Sequence, residues 1–73
     1  MRITYDSSVN AAYIYLAEIG PGGVAKTYLC DRSEVNGEIN LDFDAAGRLV
    51  GIEVLDADRL LPVALLAGAT SPR

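Results

Sequence analysis

The sequence predicts an α+β domain, a four- to five-stranded antiparallel meander sheet followed by one or two short C-terminal helices. Three observations predict it. From Ile39 to Asp44 apolar residues alternate with polar ones, the pattern of a half-buried strand; Ala45-Ala46-Gly47 breaks the run, and Arg48 to Leu55 returns as its partner. Ala11–Ala17 and Val24–Cys30 are rich in the β-branched and aromatic residues that fit a pleated surface. After Leu55 the period of two stops, and Asp56 precedes a leucine-rich stretch. Strands in a run followed by helix read as α+β.

Arg2 to Tyr5 opens the chain as a short strand, with Ile3 and Tyr5 on one face and Arg2 and Thr4 on the other. Asp6-Ser7-Ser8-Val9-Asn10 follows as a turn, where Asp6 is placed to cap a single helical turn. The second strand, Ala11 to Ala17, is apolar or amphipathic on both faces, which suits an interior position. Gly20-Pro21-Gly22-Gly23 then breaks the ladder. It resembles a phosphate-cradling loop only superficially, because no helical pattern begins there.

Val24 to Cys30 is the third strand, and Asn36-Gly37 turns the chain into the hairpin. In that hairpin Ile39, Leu41 and Phe43 alternate with Asn40, Asp42 and Asp44. Asp44 is set to accept from the backbone of a type I turn, and Gly47 to take the left-handed position that closes a bulged loop. Asp56 is expected as the N-cap of a helical turn over Ala57 to Leu61. Pro62, lacking an N–H, starts a second short helix that runs to about Ala67 and stops at Gly68. One domain over residues 1–68 results, with a frayed tail at 69–73.

Size and charge narrow the function classes. The 73 residues make one domain, and a single core of that size rarely supplies more than ~3–5 kcal/mol. Cys30 is the single cysteine, so no disulfide closes within the chain, and there is no metal-finger spacing. Oligomerisation remains as the common staple, with 51% hydrophobic residues to support it. Ten acidic against six basic residues give a net charge of −4. The six, Arg2, Lys26, Arg32, Arg48, Arg59 and Arg73, are scattered, whereas phosphate binding draws on clustered cations. Nucleic acid is therefore not an expected partner, and an acidic surface favours a basic protein instead. No apolar run reaches the ~18–20 residues of a membrane span, and the opening residues lack the apolar core of a signal peptide. A lone free cysteine suits a reducing compartment, so the expected location is the cytoplasm.

Three segments carry a family likeness: Ile-Thr-Tyr-Asp at residues 3–6, Ala-Ala-Tyr-Ile-Tyr-Leu at 11–16, and the long run from Asn40 to Ala57. On these the chain resembles the YuzE-like family, a group of small uncharacterised bacterial proteins built on a domain of unknown function. The resemblance extends to about Leu61. The loop at Pro21–Gly23 is longer than is usual in that family, and the apolar tail after Pro62 is less typical. The resemblance implies a small α+β domain and no established activity.

The chain contains no histidine, so the commonest general base and zinc ligand are missing. Cys30 has no histidine to activate it and reads as a small apolar strand residue, while Ser7 and Ser8 read as capping residues. No catalytic residue and no cofactor is assigned. Asp42, Asp44 and Glu53 are the candidates for a metal site. Asp42 and Asp44 project from one face of a strand, ~6.5–7 Å apart along it, a spacing that suits a hard cation or an acid/base pair. The plainer reading has Asp44 capping the turn and pairing with Arg48 while Asp42 is solvated. With Asp44 opposite Arg48, Asp42 faces Val50, and Glu53 faces Ile39 on the core side. There Glu53 would be a perturbed acid in a cleft or a buried polar latch, unless a bulge at Gly51 turns it outward.

The same pairing gathers Val50, Ile52 and Val54 on the face opposite Ile39, Leu41 and Phe43. The C-terminal segment can cover one side of a small sheet, which leaves those three as an apolar patch of a kind monomers avoid. A homo-oligomer of even order, built on Val50, Ile52 and Val54, is the expected assembly. The expected function is a non-catalytic interaction module, antitoxin-like in binding a basic protein partner. A metal- or small-ligand-binding enzyme using the carboxylates is the alternative.

Overall fold

The computed structural model describes residues 1–72. Five strands come first: β1 (Arg2–Asp6), β2 (Ala11–Tyr15), β3 (Lys26–Leu29), β4 (Glu38–Phe43) and β5 (Leu49–Leu55). Helices α1 (Ala57–Leu60) and α2 (Val63–Ala67) follow. They form a single five-stranded sheet in the order β1-β2-β5-β4-β3, with every neighbouring pair antiparallel. The expected α+β class stands.

The strand order departs from a strict meander. β3, β4 and β5 do run as one, but the chain leaves β2 through the Gly20–Gly23 loop and crosses to the far edge before β3 begins. That loop closes a turn from the Gly23 N–H to the Gly20 carbonyl at 2.9 Å. A connection this long does not fold β3 back as a tight hairpin on β2. The free side of β2 is instead taken by β5, with Ala12 opposite Val54 and Ile14 opposite Ile52.

The hairpin turn forms as its residues dictate. The Asp44 carboxylate accepts from the backbone N–H groups of Ala46 and Arg48, both at 2.9 Å. Gly47 has φ +83° and its N–H bonds the Asp44 carbonyl at 3.0 Å. Phe43 faces Leu49 beside the turn, but Asp42 then faces Gly51, so Val50 is an extra residue on β5. This bulge overturns the expected register. Asp42 does not face Val50, and Glu53 faces Asn40 rather than Ile39.

Because side chains alternate strictly along a strand, one extra residue moves everything after it to the other face. Ile52 and Val54 therefore join Ile39, Leu41 and Phe43 on the apolar face, together with Ile3, Tyr5, Ala12 and Ile14. The core lies under α1 and α2. Ala12, Val54 and Ala57 are buried at its centre, with Tyr5, Ile39, Ile52, Leu60, Leu61 and Leu66 packed round them.

Two expectations about the helices change. Asp56 precedes α1 but sits in the left-handed region at φ 61° and its side chain caps nothing. Asn10, also left-handed at φ 56°, is the cap: its Oδ1 accepts from the Asp58 N–H at 3.0 Å and its carbonyl from the Ala57 N–H at 3.0 Å. Pro62 and Gly68 do bound α2 as expected. The tail is pinned rather than frayed at Thr70, which bridges β1 in parallel: its carbonyl accepts from the Tyr5 N–H at 2.8 Å and its N–H donates to the Ile3 carbonyl at 3.0 Å. The expectation of fraying at Arg73 lies outside the described residues.

Candidate functional site

The face turned away from the helices carries a polar strap that crosses every strand. Arg2 of β1 lays its guanidinium over the Tyr15 ring, 3.7 Å from the centroid. Tyr15 meets Tyr13 edge to face with centroids 4.7 Å apart. The Tyr13 hydroxyl donates to Asp42 Oδ2 at 2.6 Å, and the Thr27 hydroxyl of β3 donates to Asp42 Oδ1, also at 2.6 Å.

Between β2 and β4 this strap must pass over β5, and it does so at Gly51. Gly51 is buried, and a Cβ built on it would overlap the ring and hydroxyl of Tyr13. The missing side chain is thus the gap through which Tyr13 reaches Asp42. Burial first, then the hydrogen bond to the Asp42 carboxylate, pushes the Tyr13 phenol well above its ordinary value.

A second polar group lies beside the first. Asn40 is 7% exposed, and its Nδ2 donates to Glu53 Oε1 at 2.9 Å and to Glu38 Oε2 at 3.1 Å. Arg32 stands 3.7 Å from Glu38. One amide nitrogen of Asn40 thereby donates to both carboxylates. Its Oδ1 is buried without a hydrogen-bond partner, a cost of ~1–3 kcal/mol for such an atom.

The three carboxylates named from the sequence are not brought together. Asp42 is held by two hydroxyls, Asp44 is spent on the turn, and Glu53 is tied to Asn40. No group of three or more Cys, Asp or Glu side chains suited to a metal ion occurs among the described residues. Asp42 is not simply solvated, as the plainer reading had it. Glu53 is turned away from the core by a bulge, one residue earlier than Gly51.

The patch expected from Val50, Ile52 and Val54 is not an open surface. Val50 and Val54 are 8% and 2% exposed, and Ile52 packs against the core beneath the helices. The open apolar ground lies at the other end of the same face. The helices stop short of β3, leaving a hollow of about 680 Å³ walled by Ala25, Tyr28, Leu41 and Phe43, with Lys26 and Asp44 on its rim. β3 itself is exposed along its whole length. The sequence signal for this was present: Tyr28 and Leu41 sit on alternation-compatible positions, and only the register was needed to see that they share a face. Asn10 carried no such signal, since a turn asparagine gives no hint of a partner 48 residues away.

A family model described as a protein of unknown function, DUF2283, matches residues 2–57, which span all five strands and the entry to α1. The chain belongs to this family. No curated protein and no solved structure matches it. Within the DUF2283 span lie the bulged hairpin, the Gly51 gap and the polar strap, whereas α2 and the Thr70 bridge lie beyond it. No helix among the described residues is long and apolar enough to cross a membrane.

Proposed function

We propose that this DUF2283 protein is a small, non-catalytic interaction module that works as a homo-oligomer. The observation that carries the reading is the half-covered apolar face. The two helices bury the Ala12–Val54 end, while Tyr28, Leu41 and Phe43 line an open hollow beside an edge strand whose outer side is unpaired among the described residues. A sheet with one solvated apolar half and a marginal core gains most from a second copy. The net charge of −4 supports a basic protein as the further partner of the assembly, in the antitoxin-like manner of binding and neutralising it. The likeness of Asn40–Ala57 to the YuzE-like group supports a bacterial, cytoplasmic setting. The carboxylate enzyme is the less favoured reading, because Asp42, Asp44 and Glu53 each have separate structural partners.

Sedimentation velocity over a micromolar concentration series tests the reading. The expected result is a species of at least twice the 7.7 kDa chain mass; a monomer throughout the series would sink it.

A further inference from the structure

The two edges of the sheet are treated differently. On β1 the outer edge is closed by the chain's own Thr70. On β3 nothing among the described residues pairs with the outer edge. Natural proteins shield such edges with proline, short strands or inward charges. β3 is short, but it reads Lys-Thr-Tyr-Leu, with Tyr28 54% and Leu29 61% exposed.

The register says which backbone groups are open. The Cys30 N–H donates inward to the Ile39 carbonyl at 2.9 Å. In an antiparallel ladder the bonding direction alternates along the strand. The Ala25 N–H also reaches the Phe43 carbonyl, at 2.8 Å, an irregularity just before the strand; from Lys26 on, the register of Lys26 with Phe43 and Tyr28 with Leu41 continues to Cys30 and Ile39, so Lys26 and Tyr28 bond inward to β4 and the N–H and C=O groups of Thr27 and Leu29 point outward.

We propose that β3 pairs antiparallel with β3 of a second copy about a twofold axis at Tyr28, joining two sheets into one of ten strands; this rests on the homo-oligomeric reading above and gives it a place and a register. The open groups select the register. Thr27 of each copy exchanges two hydrogen bonds with the partner's Leu29, and Tyr28 meets the partner's Tyr28 as the non-hydrogen-bonded pair on the axis. Such pairs bring side chains closest, and aromatic side chains there stabilise the ladder. Alternation keeps both apolar faces on one side, so each Tyr28 ring forms an outer wall for its partner's hollow. The charges agree with the antiparallel sense. Lys26 at the start of one strand lies beside Cys30 and Asp31 at the end of the other. Asp31 accepts from the Ser33 N–H and hydroxyl at 2.9 and 2.8 Å, which hold its carboxyl below the ordinary value and keep it anionic.

Two changes to the full chain test this, read by light scattering and by oxidative cross-linking. Leu29→Pro removes an outward N–H while leaving the bonds to β4, as edge positions allow. It is expected to lower the self-association constant at least tenfold with the circular dichroism spectrum unchanged. Should that variant fold poorly, Tyr28→Cys in a Cys30→Ser background decides. Across a non-hydrogen-bonded pair the Cα atoms are ~4.5 Å apart, within disulfide range. Covalent dimer is expected at least ten times faster than from Ala46→Cys in the same background, at the exposed hairpin turn. An oligomer that cross-links equally slowly from both positions overturns the β3 pairing and leaves the interaction module standing, with the apolar hollows as the surviving interface. A wild-type chain that is monomeric overturns both.

Discussion

Gly51→Ala is the change that most directly tests the account of the polar face. The added Cβ would occupy the space of the Tyr13 ring and hydroxyl, and it is fixed to a strand paired on both sides, opposite Tyr15 and Asp42. The ring must therefore move, and the 2.6 Å bond to Asp42 breaks. A hydrogen bond to a charged group contributes ~1.5–3 kcal/mol, and overpacking costs ~1–3 kcal/mol more. Against this, replacing glycine returns ~0.4–1 kcal/mol through the unfolded chain. The net loss is about 1.5–5.5 kcal/mol, on the scale of the whole ~3–5 kcal/mol that a core of this size supplies. Denaturant titration in the presence of a stabilising sulfate salt, at fixed protein concentration, measures it. The decisive comparison is a second background. In Tyr13→Ala the obstacle is gone, so Gly51→Ala should there be neutral or stabilising. Equal destabilisation in both backgrounds would refute the idea that Gly51 exists to let Tyr13 pass.

Three further predictions follow from particular contacts. Gly47→Ala should cost ~1 kcal/mol from its positive φ alone, since a Cβ there meets nothing within 4 Å; a melting temperature equal to wild type would contradict the turn geometry. Asn10→Ala should destabilise by ~1–2 kcal/mol through loss of the α1 cap and of the 2.8 Å acceptor for the Tyr5 hydroxyl. Asn10→Gly, which keeps the left-handed backbone but loses the side chain, should fall between that variant and wild type in urea unfolding. For Tyr13 the folded chain holds the phenol proton more tightly than the unfolded chain, whose value is near 10.0. Its contribution to stability is therefore complete below pH 10 and is lost as pH rises toward the higher folded value. Melting temperatures taken from pH 8 to pH 11 should fall more steeply for wild type than for Tyr13→Phe, and parallel curves would remove Tyr13 as the cause.

Much of the fold was legible because it is local. The hairpin turn needs Asp44 and Gly47 at fixed offsets, and both do what their chemistry requires. The helix boundaries at Pro62 and Gly68 were legible for the same reason. What escaped was long-range. Nothing in the period of two says that β5 returns to β2 instead of β3 doing so. The cap on α1 comes from Asn10, and the closure of the β1 edge from Thr70, across nearly the whole chain. Asp56 had the right residue type for a cap, but its left-handed backbone turns the side chain to Arg59 at 2.8 Å instead.

The candidate site shows how one inserted residue redirects a functional reading. Without the bulge at Val50, Glu53 would sit among Ile39 and Leu41, and a buried unpaired carboxylate there would point to a catalytic acid or a metal. With it, Glu53 stands beside Asn40 on the polar face, and Ile52 and Val54 move under the helices. The apolar residues of β5 become core, while Tyr28, Leu41 and Phe43, set on one face by the β3–β4 register, line the open hollow at the edge of the sheet. The same extra residue thus parts Glu53 from Ile39 and Leu41 and brings it to Asn40, where its charge has a hydrogen-bond donor in place of an apolar wall.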